Sequence, residues 1–196
     1  MSRYYLGVES LLDAVAAPNQ TICRNILKEN RELFEKVQGS GHNHQAWPGG
    51  YLDHVQECMN TAMVLYWALH AQRPLPFTVG DALLVLFLHD LEKPWKYEFD
   101  AEGKLQYKPE FRNNKAAQKE FREKKFEEYG FVFTPEQENA LKYVEGEFKD
   151  YRSDQRVMGP LAAFCHLCDV TSARIWFDNP SAEDDPWRDA KRMKEK

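Results

Sequence analysis

The sequence has no long apolar run, no excess of positive charge and few cysteines, and each shortage excludes something. No uninterrupted apolar stretch approaches the roughly 20 residues that a membrane-spanning helix requires. The start lacks a basic segment followed by an apolar one, so a secretory leader is not expected. Basic residues number 26 against 31 acidic ones, a formal net charge of -5. That balance supplies no global drive toward nucleic acid or anionic lipid, although a local basic lining remains compatible with it. Four cysteines without a disulfide-framework spacing fit reduced thiols and a cytoplasmic location. Neither an internal repeat nor a domain linker is visible.

What is present is an ordinary globular balance: 196 residues, 43% apolar, 29% charged and 13% aromatic. Such a chain can form one domain with a sizeable core. Helical periodicity dominates it. Residues Asn19 to Val37 read as one amphipathic helix, and Tyr51 to His70 as a second that Pro74 and Pro76 close. Thr78 is a fitting N-cap for the run Val79 to His89, which is apolar nearly all round and therefore central. The segment 96–108 alternates around a Gly-containing turn and reads as a small inserted β-hairpin. Further helices are expected from Asn114 to Tyr129, from Thr134-Pro135 to Phe148, and from Gly159-Pro160 through Trp176. Beyond Asn179-Pro180 the chain becomes a charged tail, expected to be peripheral. The fold class expected is all-α with one small hairpin, in a single domain with its core over about 19–177.

His89-Asp90 ends the apolar run, where packing alone gives no reason for either residue. Charged groups are rarely buried unless they are paired or bind a metal. His54 and Asp169 lie in two other apolar-periodic stretches. The four together supply two imidazoles and two carboxylates, a mixed set that suits Mn, Fe, Co, Ni, Mg or Zn without choosing among them. Adjacent His89 and Asp90 can converge on one ion only if the helix ends there, and Pro94 implies a break just past them.

In this order the residues resemble the H…HD…D pattern of the HD-domain metal-dependent phosphohydrolases. Ala46-Trp47-Pro48-Gly49-Gly50-Tyr51-Leu52-Asp53-His54 is similar to the A-Y-P-G-G-L-L-E-H opening of HD domains attached to bacterial 3′–5′ exoribonucleases. His89-Asp90-Leu91-Glu92-Lys93 resembles the H-D-I-G-K box, with Glu92 where glycine is usual. The resemblance implies an HD-type helical bundle, with His54, His89, Asp90 and Asp169 as metal ligands and Lys93 as a phosphate-contacting or acid-side group. It also implies metal-assisted hydrolysis of a phosphoester in a nucleotide or related metabolite. Asp90 or a glutamate such as Glu92 would take the proton, while Lys93 and an arginine stabilise developing charge. Where many relatives carry a His-His pair, this chain has Val144-Glu145, so one divalent ion rather than two is expected.

Other residues carry weaker signals. His44, in the Gly-rich approach to His54, is a candidate for holding substrate phosphate or a second ion, whereas His42 reads as a loop residue and His70 as a helix-end cation. Glu145 is a candidate outer-shell carboxylate. His166, three residues before Asp169, is a candidate hydrogen-bond partner for a ligand carboxylate. The Cys165-His166-Leu167-Cys168 segment reads as small core residues rather than as a zinc or redox motif. Arg152, Arg156 and Arg174 would bind substrate phosphate if they point inward. The mixed-charge run Lys115 to Lys125 reads first as a solvated helix face and second as a nucleic-acid patch. Two rival functions remain open at this level. A nuclease for single-stranded ends predicts a contiguous basic groove, and a catalytically silent scaffold would bind a nucleotide or a partner. Oligomeric state is open.

Overall fold

The computed structural model describes residues 4–41, 43–102, 105–178, 187 and 190. The architecture is all-α, with a two-stranded antiparallel hairpin set between helices. Helices α1 (Val8–Leu11), α2 (Asn19–Glu29) and α3 (Arg31–Phe34) lead into the long α4 (Gly50–Gln72) and the central α5 (Val79–Leu88). The hairpin follows as β1 (Tyr97–Phe99) and β2 (Leu105–Tyr107), paired Tyr97 to Tyr107 and Phe99 to Leu105. Then come α6 (Lys115–Tyr129), α7 (Pro135–Tyr143) and α8 (Pro160–Val170). The Gly-containing turn expected in the hairpin falls at 103–104, outside the described residues, as does His42.

Helix α5 shows why the core forms where it does. Ala82 through Leu88 are all buried, so no face of the helix is left for water. Its entrance is closed by a capping box: Thr78 Oγ1 accepts from the Asp81 backbone N–H at 3.1 Å, and Asp81 Oδ2 accepts from the Thr78 N–H at 2.8 Å. Helices α4 and α8 pack on it and on each other, and α7 packs on α5 and α8. Asp81 Oδ1 also accepts from Gln137 Nε2 at 2.7 Å, joining the starts of α5 and α7.

Three boundaries differ from the pattern-based expectation. The helix expected over Asn19 to Val37 breaks at Asn30, whose side-chain Nδ2 donates to the Ile26 carbonyl at 2.9 Å and competes with the helix ladder. Helix α7 stops at Tyr143, five residues before Phe148, because Gly146 takes φ +116°. After Val170 the last helix opens into a π-turn over Thr171–Ile175. The first residues, unread from sequence, add Val8, Leu11, Leu12 and Val15 to the core. Of the segment 180–196, only Trp187 and Ala190 lie among the described residues. Trp187 meets Tyr5 edge-on at 5.1 Å, so this part of the expected peripheral tail packs on the body.

Candidate metal centre

Three elements deliver the cluster. His54 sits in the second turn of α4, His89 is the C-cap of α5, Asp90 follows it, and Asp169 is near the end of α8. The break inferred from Pro94 is present: α5 ends at Leu88, and Lys93 to Lys96 form a 3₁₀ turn. His54 and His89 are buried, with their Nε2 atoms 3.3 Å apart. Asp169 Oδ1 lies 3.2 Å from His54 Nε2, and Asp90 Oδ2 lies 3.2 Å from His89 Nε2. All four residues expected as ligands therefore meet.

Cys58, one helical turn after His54, joins them. One ligand atom from each of His54, Cys58, His89 and Asp169 lies within 4.8 Å of the others, a group that could hold a metal ion. The Cys58 Sγ is 3.7 Å from His54 Nδ1 and 3.8 Å from Nε2, so it lies alongside the ring. Burial holds its thiol well above the ordinary cysteine range.

Tautomers decide whether the donor set suits a cation. The His89 Nδ1–H donates to the Leu86 carbonyl at 2.7 Å. His54 Nδ1–H donates to Ser172 Oγ at 3.0 Å, and that hydroxyl donates to Glu57 Oε2 at 2.8 Å. Both rings thus commit Nδ1 and turn Nε2 toward the same point, as ligating histidines do when an outer partner fixes them. Gln45 completes the support, donating through Nε2 to Glu57 Oε2 at 3.2 Å and accepting from His44 Nδ1 at 2.8 Å. Sequence reasoning missed Gln45, Glu57 and Ser172. The available signal was Glu57, a carboxylate inside an apolar helix stripe. Replacing Ser172 with alanine should lower metal affinity about 10- to 100-fold, measured by competition with a chelating dye.

Electrostatics match that geometry. Burial opposes charge on His89, yet Asp90 and Asp169 outweigh it and raise its pKa to about 9. Burial, with Lys93 and His89 nearby, holds His54 below its ordinary value despite Asp169. Lys93 Nζ sits 2.5 Å from Asp90 Oδ2. Burial disfavours both ions, but each sustains the other: Asp90 lies well below the carboxylate range and Lys93 above the usual ammonium value. The cluster therefore draws positive charge to its centre. His44, with its ring centroid 4.7 Å from that of His54, is lowered to about 4 by burial and by His54 and Lys93.

Above the cluster lies a cleft of about 390 Å³. His44, Lys93, Glu145, His166 and Arg174 line it, as do Lys115 from the mixed-charge run and Lys96, which the sequence did not single out. Three expectations need correction. Glu92 is buried but engaged by Lys96 at 2.9 Å and Arg122 at 3.4 Å, so its carboxylate does not line the cleft. Arg152 and Arg156 are exposed and are not among the cleft residues, because the loop that carries them runs outside it. His166 donates from Nδ1 to the Val144 carbonyl at 2.7 Å rather than to a ligand carboxylate. Glu145 meets Lys115 at 3.3 Å across the rim. Among the described residues no helix is long and apolar enough to cross a membrane. Comparison with family models, curated proteins and solved structures finds no match.

Proposed function

We propose that this chain is a metal-dependent phosphohydrolase of the HD type, cleaving a phosphoester in a nucleotide or related phosphorylated compound. The observation that carries the reading is the convergence of two Nδ1-committed imidazoles and two carboxylates on one buried point beneath a cation-lined cleft. His54, His89, Asp90 and Asp169 would hold one divalent ion. Asp90 is preferred to Cys58 as the fourth ligand, because the thiol lies beside the His54 ring and burial keeps it protonated.

A divalent ion held there supplies Lewis acidity toward a phosphoryl oxygen and toward the attacking water. Lys93 remains an ammonium beside Asp90 and faces the cleft, where it stabilises charge building on phosphate oxygens. Arg174 and Lys115 offer further cations at the rim. Asp90, held ionised by Lys93, is a weak base and serves to ligate and orient. His44 donates from Nδ1 to Gln45 and stays neutral, leaving Nε2 as an acceptor for the attacking water. Water's oxygen bonds phosphorus as the ester P–O bond breaks, and the proton that water gives up ends on the departing oxygen.

A screen of p-nitrophenyl phosphate esters and nucleotides with Mn²⁺, Co²⁺ or Mg²⁺ tests this reading. Metal-dependent release of phosphate or alcohol is expected, and no turnover with any metal would sink it. Metal affinity should also depend on pH with a definite sign. In the metal-free cluster the His89 proton, with a pKa of about 9, competes with the ion. Affinity should therefore rise about tenfold per pH unit up to about 9 and flatten above it, as read by calorimetric titration in buffers of different ionisation heat.

A further inference from the structure

Beside the cleft lies a second and larger pocket, about 630 Å³ in volume. The two share Lys115, Glu145 and Phe148, so they form one continuous depression. Five cations, Lys115, Lys119, Arg122, Lys142 and Lys149, line the second pocket against two carboxylates, Glu92 and Glu145. Arg122 is held by Glu92. Lys115, Lys119 and Lys142 meet Glu145, Glu123 and Asp150 only in pairs whose lysines are more than half exposed, weak enough for a phosphate to displace. Lys115, Lys119 and Arg122 are spaced i, i+4 and i+7 and share one face of α6.

Phe148 stands at the junction. Its side chain is 75% exposed, and its backbone takes φ +43°, a left-handed conformation costly for a bulky residue. The ring tip folds back over Gly146: a Cβ there would lie 3.8 Å from Phe148 Cε2 and 3.7 Å from His166 Cε1. An aromatic face is therefore held between the metal cleft and the basic pocket, where it buries little of itself. Cations tracking a backbone, with an aromatic platform among them, are the elements that bind single-stranded nucleic acid without base readout.

We propose that the substrate is the end of a single-stranded oligonucleotide, with its terminal phosphoester over the metal cluster. The adjoining base would stack on Phe148, and the next phosphates would lie among Lys119, Lys142 and Lys149. A mononucleotide fills the cleft alone and leaves the second pocket unused. This assignment rests on the phosphohydrolase reading for its chemistry, but strand binding can be measured without turnover.

The test is fluorescence anisotropy of 5′-fluorescein-labelled U5 and dT5 with the 196-residue chain in a chelator, with UMP and TMP as competitors. The pentamers should bind about tenfold or more tighter than the monomers, with affinity falling as salt rises. The charge reversal Lys142→Glu with Lys149→Glu should cost about tenfold or more. Phe148→Ala should lose about 5- to 100-fold and Phe148→Trp should retain binding, with circular dichroism confirming folding of each variant. Binding of either pentamer supports the proposal, and the tighter one names the sugar. Pentamers no tighter than monomers, or affinity unmoved by the charge reversal, would overturn it. Adding Mn²⁺, Co²⁺ or Mg²⁺ then separates the two readings. A strand that binds but is never shortened is overturned as the substrate, whereas the hydrolase reading falls only if the esters and nucleotides also show no turnover with any metal.

Discussion

Under the proposed hydrolase reading, replacing His89 with alanine should collapse turnover and empty the metal site together. The imidazole contributes Nε2 at the point where His54, Asp90 and Asp169 converge, and no other described nitrogen donor of the cluster can take its place at the end of α5. Loss of an ion's Lewis acidity removes several kcal/mol of transition-state stabilisation, so turnover should fall on the order of a thousandfold. Metal content, measured by plasma emission on the dialysed protein, should drop from near one ion per chain to near none. The fold should survive, because truncation removes a ring facing a polar centre rather than one filling the apolar core. Unchanged turnover with an intact metal content would remove His89 from the site.

Gly50→Ala should have the largest effect on stability. A Cβ at this position would lie 1.9 Å from the Gln45 carbonyl oxygen and 2.8 Å from its carbonyl carbon. Both are backbone atoms that cannot rotate aside. Gln45 is itself pinned at φ +40°, with its N–H donating to the Phe177 carbonyl at 2.8 Å and its carbonyl accepting from the Gly39 N–H at 3.0 Å. The loop must therefore move as a unit, at a cost of about 3 kcal/mol or more. For a chain of this size that lowers Tm by roughly 6–12 °C, read by differential scanning calorimetry. Metal affinity should fall as well, because the displaced Gln45 also holds Glu57 and Ser172 behind His54. A variant as stable as the parent would show that the Gln45 backbone yields freely.

These two sites also mark how far the sequence could be read. His54, His89, Asp90 and Asp169 were legible because each interrupts an apolar pattern at a place where burial makes a lone charge costly. The Gly49-Gly50 pair was visible as a break, but a string of letters does not say which carbonyl a Cβ would strike. Gln45, Glu57 and Ser172 were illegible as a group: they lie on three separate segments and meet only through tertiary packing. Helix α7 ran too long in the reading because its periodicity continues while Gly146 ends the helix. The basic face of α6 looked like a solvated surface, since spacing shows that Lys115, Lys119 and Arg122 align but not what they face. Cys58 had a local signal, the i, i+4 relation to His54, which a search for cysteine pairs passes over.

The placement of His89 at the end of α5 has a further consequence. That helix is surrounded on every side, and His54 on α4 is equally inaccessible. Arg122 clamps the His89 carbonyl from α6. Segments packed this way open only when the whole molecule opens, whereas rims such as Phe148 and the turn bearing Arg174 can loosen alone. An ion seated here would have rigid partners behind it and would exchange only through the cleft that His89, Asp90 and Asp169 line. Loosening of the rim would therefore set its rate of exchange.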